Sequence, residues 1–320
     1  MPLAEIIRGQ IERGGPMPFS RFMELALYHP EHGYYRREHE RFGRGGDFFT
    51  AEQIQPVFGI MMAAVVRRLR EEMGSPAEFS VVELGAGREE MREAFAEFGY
   101  IPVDVGRGAL PERFTGVLFT NEFFDALPVE VAVCRGGEFR QMLVGWSGGR
   151  FAWVEGAQVK PEVAEYIGRY LGPREEGDIV EANLAALAWM DRIAAALERG
   201  YVLTIDYGYT RRESARFSRG TLMSYRRHTA FEDVLESPGA RDITAHVCFT
   251  ALEEHGRERG LEPLRFETLS RVLLRAGEPD EFAAALAGAD ENEIEKRRLQ
   301  LKTLLFGMGE TFRVLVQRKG

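Results

Sequence analysis

Phe79-Ser80-Val81-Val82-Glu83-Leu84-Gly85-Ala86-Gly87 is a short β-branched run that ends in a Gly-x-Gly turn. An apolar run of this length, set off by Gly74-Ser75-Pro76, reads as a buried strand. The glycines let the backbone turn sharply and pass close to a ligand, and about Arg88 to Phe98 carry a helical pattern. Strand, tight turn and helix in this order predict an α/β protein with a Rossmann-like sheet and a ligand site at the carboxyl end of the strand.

Outward from this unit, Tyr100 to Val105 reads as the next strand and Gly116 to Thr120 as another, each ending in polar residues. Asp104 follows Gly85 by 19 residues, the spacing of an acid that accepts ribose hydroxyls. A turn-forming Asp ahead of Gly106 is the other reading. Asn121 lies only 17 residues beyond Asp104. A crossover back to a parallel strand takes about 10–12 residues by itself, so the sheet is expected to be shortened on the side that covers an adenine. Alternatively, Tyr100 to Val105 is itself the later strand, which leaves no ribose acid.

Residues 1–75 read as an N-terminal helical region, with apolar stripes at Leu3, Ile6, Ile7 and Ile11 and at Phe19, Phe22 and Met23. Ile54, Val57, Phe58, Met61, Met62, Val65, Val66 and Leu69 recur every three or four positions and form one core-facing seam. Residues 130–155 alternate around Gly136-Gly137 and Gly148-Gly149, the signature of hairpins, and 130–177 reads as a β-rich insertion. A long helix is expected from about Asp178 to Arg199, then a strand, Tyr201 to Ile205, running into Asp206-Tyr207-Gly208. Helical segments near 249–259 and 280–306 and a strand from Phe312 to Val316 close the chain. The core is thus read as 76–129 with 178–320.

Glu83 supplies an acid where the positively charged part of a ligand can sit, whereas Glu89 and Glu90 would repel a pyrophosphate. S-adenosyl-L-methionine (SAM) carries no phosphate and is the favoured cofactor, with Glu83, Gly85, Gly87 and Asp104 as its candidate partners. A βα turn with no ligand and a dinucleotide-dependent oxidoreductase are the rival readings.

The chain of 320 residues is 45% hydrophobic, enough for one large α/β domain with an insertion or for two domains. A net charge of −9 opposes a general affinity for nucleic acid and suits a basic peptide or protein segment, or serves solubility alone. Cys134 and Cys248 support neither a disulfide framework nor a thiolate metal site, so no metal is expected. No apolar run approaches the roughly 20 residues of a membrane span, and the N-terminus lacks a secretory or transit pattern. A cytoplasmic protein is the expectation; oligomeric state is left open.

Asn121-Glu122-Phe123-Phe124-Asp125-Ala126-Leu127-Pro128-Val129, with the glycine loop, resembles the MidA family of SAM-dependent methyltransferases, which includes an arginine-methylating mitochondrial assembly factor of complex I. The likeness extends through Pro18-Phe19-Ser20-Arg21-Phe22-Met23, Tyr28 to Tyr35, Gly45-Gly46-Asp47-Phe48-Phe49-Thr50, Asp206-Tyr207-Gly208, Gly220-Thr221-Leu222, Tyr225 to His228, Asp242 to Val247 and Met308-Gly309-Glu310. The resemblance implies a protein acceptor with an Arg-containing segment, adds Asp47 and Thr50 to the cofactor residues, and puts Asn121, Glu122 and Asp206 at the catalytic centre. Glu122 becomes the candidate guanidinium partner. Asp125 is either part of this centre or a turn cap, and His228, Asp242 and His246 are further polar candidates.

In the family the loop usually reads Gly-Pro-Gly-Arg-Gly; here it is Gly85-Ala86-Gly87-Arg88-Glu89. A usual Pro-Glu pair is replaced by Glu52-Gln53, and Cys248 stands where an Asp follows the His-Val pair. With the short segment before Asn121, these changes gather on the cofactor side. They keep a second reading alive, a catalytically impaired methyltransferase-like protein acting as a binding or assembly module.

Overall fold

The computed structural model describes residues 2–36, 54–226 and 229–320. Asp47, Thr50, Glu52, Gln53 and His228 lie outside the described residues. The chain forms two compact units, one of Phe49–Phe123, Trp189–Tyr207 and Glu253–Gly320, the other of Met1–Phe48, Phe124–Ala188 and Gly208–Leu252.

The first unit is built on β1 (Ser80–Leu84), β2 (Tyr100–Val103), β3 (Phe114–Asn121), β4 (Leu197–Tyr209), β5 (Glu262–Thr268) and β6 (Phe312–Lys319). Their order is β5-β6-β4-β3-β1-β2. Strands β1 to β4 run parallel, and β6 is antiparallel to both neighbours. Val81, Val117, Phe119, Tyr201, Leu203, Ile205, Val314 and Val316 alternate along their strands and bury one face. The helix Val57–Glu72 lays Val57, Phe58, Met61, Met62, Val66 and Leu69 on that face, the seam expected from its spacing.

At the other end of the strands the backbones come unusually close. A Cβ on Gly116 would stand 1.9 Å from the Ser80 carbonyl oxygen, and one on Gly200 would stand 1.8 Å from that of Gly116. Only glycine fits at these two adjacent positions.

The sheet ends at β2, which pairs with β1 and so is the second strand of the fold rather than a later one. Residues 104–113 return to β3 without a helix or a third strand among the described residues. The shortening expected from the 17-residue spacing is therefore present. Two expected helices differ. That after the glycine turn is reduced to Arg92–Phe95 followed by a 3-10 turn, Ala96–Phe98, because Glu89 takes a left-handed backbone (φ 63°) that no helix tolerates. The long helix begins at Leu184, because Ile179–Ala182 is claimed as a strand by pairing with Glu130–Val133, and Asn183 Oδ1 caps the helix by accepting from the Ala186 N–H at 2.9 Å.

In the second unit Glu138–Ser147 pairs with Glu130–Arg135, Met17–Pro18 and Arg150–Gln158 in an antiparallel sheet. The hairpins turn at Gly136-Gly137 and Gly148-Gly149, all four with positive φ. The helices Pro2–Gly14 and Phe19–Tyr28 bury Leu3, Ile7, Ile11, Phe22 and Met23 in a cluster with Val131 and Val144. No described helix is long and apolar enough to cross a membrane.

Candidate active site

In the first unit the chain runs from β1 to β2 on one side and then places β3 on the other. The crevice outside the carboxyl ends of β1 and β3 is therefore the switch point where open sheets bind ligands. Two segments meet there, the loop after Leu84 and the pair Asn121-Glu122.

Gly85 (φ 73°) and Gly87 (φ 50°) both adopt the left-handed region, and a Cβ on Gly85 would stand 3.1 Å from the Phe123 ring. The N–H groups of Gly85 and Ala86 donate to the Val103 carbonyl at 2.9 and 3.2 Å. They are thus committed within the protein. Only a four-residue helix, Arg92–Phe95, follows the loop, so it has no long helix N-terminus behind it.

Carboxylates surround the loop instead. Glu83 is buried at 6% exposure, and the Tyr100 hydroxyl donates to its carboxylate. Burial pushes Glu83 up to about 7, repulsion from Glu90 and Asp104 adds to this, and the Tyr100 hydrogen bond opposes it. Burial and the facing Glu83 carboxylate push the Tyr100 phenol far above its ordinary value. Asp104 directly follows β2, which ends at Val103 rather than at Val105. One oxygen accepts the Val105 N–H at 2.7 Å, and a tight turn joins Asp104 to Arg107 through N–H···O bonds of 2.8 and 3.0 Å. Glu83, Glu90 and Asp104 suit a ribose-bearing cation, and Glu89 and Glu90 oppose a pyrophosphate. The residues present fit SAM.

Glu89 takes a φ of 63°, a backbone region that favours glycine. A non-glycine residue in this region costs about 1–2 kcal/mol. Glu89 is held by Arg92 and by Arg107, whose Nη1 lies 3.2 Å from its carboxylate.

Glu122 is also left-handed, with φ 52°. Its N–H donates to the Ile205 carbonyl at 3.0 Å, which ties the end of β3 to β4. The Asn121 amide donates to Glu122 Oε1 at 3.4 Å. Strain at a half-buried carboxylate on the carboxyl edge of a parallel sheet marks a functional candidate. One residue past Ile205, Asp206 is fully buried, and its Oδ1 accepts the Tyr207 N–H at 2.9 Å. The Tyr207 ring meets Phe312 edge-on at 5.7 Å.

Asp125, Asp242 and His246 belong to the second unit. Asp125 and Asp242 are buried, the Tyr35 hydroxyl donates to Asp242 at 3.1 Å, and the Ala245 N–H donates to the Asp125 carbonyl at 2.9 Å. Burial, then Asp242, Tyr28 and Asp125, raise the Tyr35 phenol. Burial lowers His246, whose ring packs edge-on to Phe217 at 5.2 Å.

Sequence reasoning missed Tyr100 and Arg107. Tyr100 becomes visible only once Val81 is known to pair with Tyr100, since that register sets it diagonally beside Glu83. Arg107 had a local signal in Gly106-Arg107-Gly108, a turn that presents one side chain.

The family described as "Putative S-adenosyl-L-methionine-dependent methyltransferase" matches residues 105–267, just over half of the chain. The Drosophila melanogaster protein arginine methyltransferase NDUFAF7 homolog, mitochondrial, is 27% identical over 81% of this chain and 70% of its own length. Its human counterpart is 23% identical over 97% of this chain and 82% of its own. A superfamily protein from Burkholderia thailandensis, crystallised bound to S-adenosyl-homocysteine, is 31% identical with a TM-score of 0.87, over 99% of this chain and 92% of that one. These relatives correct one expectation. The curated proteins matched over most of the chain are mitochondrial, so the cytoplasmic reading drawn from composition does not stand.

Proposed function

Since this chain belongs to the S-adenosyl-L-methionine-dependent methyltransferase family, we propose that it methylates an arginine on a protein substrate, with Glu122 orienting the guanidinium. The observation that carries the reading is the strained, tethered carboxylate of Glu122 at the switch point. Arginine as the acceptor is supported by the names of the NDUFAF7 relatives and by the net charge of −9.

Bound SAM supplies an electrophilic methyl group on a cationic sulfur. Glu83, Asp104 and the Gly85–Gly87 loop are the residues that would hold it in the described structure, and Asp47 and Thr50 are carried over from the family pattern. Glu122 accepts paired, charge-assisted hydrogen bonds from the acceptor guanidinium and aligns one nitrogen for in-line attack. Asn121 steadies that carboxylate, and Asp206 adds a second, buried carboxyl group on the neighbouring strand. The nitrogen would gain the methyl group as the bond from that methyl to the cofactor sulfur breaks, leaving S-adenosyl-homocysteine, and would give up a proton that Glu122 can accept.

Calorimetry with SAM and S-adenosyl-homocysteine, followed by mass spectrometry for methylarginine on candidate proteins, tests the proposal. Absence of binding at millimolar concentration would end the enzyme reading in favour of a binding module. That second reading draws on the shortened sheet, the committed Gly85 and Ala86 donors and Glu89 in the third glycine position.

Glu83 gives a pH test. Its folded value, near 7, lies above the unfolded value of 4.5, so its burial costs the fold stability as pH rises between them, and the anion favoured by a cationic cofactor is fully formed only above 7. SAM affinity is expected to rise about three- to tenfold from pH 6 to 8, and Glu83→Gln should flatten the profile. An equal slope in the variant would remove Glu83 from the cofactor site.

A further inference from the structure

We propose that Arg107 is a positioning residue for the cofactor, bracing the glycine loop and Asp104 from one guanidinium where a third strand is missing. The proposal rests on the SAM reading above.

The sheet stops at β2, and residues 104–113 lead from it to β3 with no further strand or helix among the described residues. In a complete sheet a further strand and helix would buttress this side of the ribose site. Here the loop Gly85–Glu89 also lacks a proper helix behind it, since only Arg92–Phe95 is helical. Something else must fix both walls.

Arg107 is aimed by its backbone. The Asp104–Arg107 turn is closed by two N–H···O bonds, and Gly108 (φ 70°) folds so tightly on β2 that a Cβ there would stand 2.5 Å from the Pro102 carbonyl oxygen. From this turn Arg107 Nη2 donates to the Gly87 carbonyl at 2.6 Å, Nη1 lies 3.2 Å from the Glu89 carboxylate, and Nη2 lies 4.0 Å from Asp104 Oδ2. One planar group thus spans the loop that must approach the cofactor and the acid expected to meet its ribose. A fork of five donors can meet all of these groups at once, whereas a single ammonium meets only part of them.

A merely structural role predicts something different. The Arg107 side chain is 50% exposed, and exposed ion pairs contribute little to global stability. The Glu89 side chain, in contrast, is only 13% exposed and sits in a backbone region that favours glycine, so its conformation depends on the cations beside it. Loss of Arg107 should therefore loosen the loop without unfolding the protein.

The test uses the full chain as wild type, Arg107→Ala and Arg107→Lys. Calorimetry with S-adenosyl-homocysteine should show affinity weakened about tenfold or more by Ala and partly restored by Lys. The KM for SAM should rise in parallel, with kcat at saturating SAM and the Tm little changed. Affinity within twofold of wild type in Arg107→Ala would overturn the proposal. So would a joint loss of affinity, kcat and Tm that Lys does not relieve, since that pattern belongs to a structural residue. If wild type itself binds neither SAM nor S-adenosyl-homocysteine, the functional reading fails, and amide hydrogen exchange across Gly85–Glu90 decides the brace. Faster exchange in Arg107→Ala upholds it, and unchanged exchange overturns it.

Discussion

Glu122→Gln is expected to lower methyl transfer to the protein acceptor by about 10²–10³-fold, the scale on which loss of one preorganised polar partner is felt in an active site. S-adenosyl-homocysteine affinity should stay within about twofold, because the amide keeps the shape of the side chain and the cofactor residues named above lie on other segments. The two readouts together separate acceptor orientation from cofactor binding. A further variant separates function from stability. Glu122 holds φ at 52°, where any residue but glycine is strained, so Glu122→Gly should hold or raise the Tm by relieving about 1 kcal/mol while losing transfer. A protein that is more stable and less active is what a strained functional residue predicts. Radiolabelled methyl transfer alongside thermal melts would measure both, and unchanged turnover in Glu122→Gln would remove this carboxylate from the mechanism.

Much of the frame was legible because it depends on local chemistry. Val81 to Leu84 could only be a buried strand, the paired glycines at 136–137 and 148–149 could only be turns, and 17 residues between Asp104 and Asn121 left no length for another strand and its helix. What escaped depends on distant partners. Ile179–Ala182 looks like the start of a helix until Glu130–Val133 pairs with it. Strand β5 was not seen at all, since Pro263 and exposed Leu264 break its alternation and its pairing with β6 alone makes it a strand. Asn121 and Glu122 were singled out by a nine-residue motif, whereas Arg107, whose only local signal is the Gly106-Arg107-Gly108 turn, reaches across 18–20 positions to Glu89 and Gly87. The apparent defect at Glu89 takes on its meaning only with that arginine beside it.

Gly116→Ala is expected to do severe damage to the sheet. The added Cβ would stand 1.9 Å from the Ser80 carbonyl oxygen and within 3 Å of two more Ser80 backbone atoms, at a φ of 150° that L-residues avoid. Backbone cannot rotate away as a side chain can, so β1 and β3 must separate. The cost should exceed about 3 kcal/mol, a large share of the 5–15 kcal/mol that holds a domain together. Gly200→Ala meets the Gly116 carbonyl oxygen at 1.8 Å and should act alike by parting β4 from β3. Gly136→Ala is the control: φ there is 59° but nothing lies within 4 Å, so the cost is backbone strain alone, about 1–2 kcal/mol. Denaturant titration of the three single variants distinguishes the cases, and a Gly116→Ala protein as stable as Gly136→Ala would disprove the close approach. The consequence reaches the site. Gly116 lies on the strand that carries Asn121 and Glu122, and the Glu122 N–H bond to Ile205 holds only while β3 keeps its register on β4. Any Gly116→Ala protein that folds should therefore lose transfer beyond what its lowered stability accounts for, because the carboxylate is aimed by the strand beneath it.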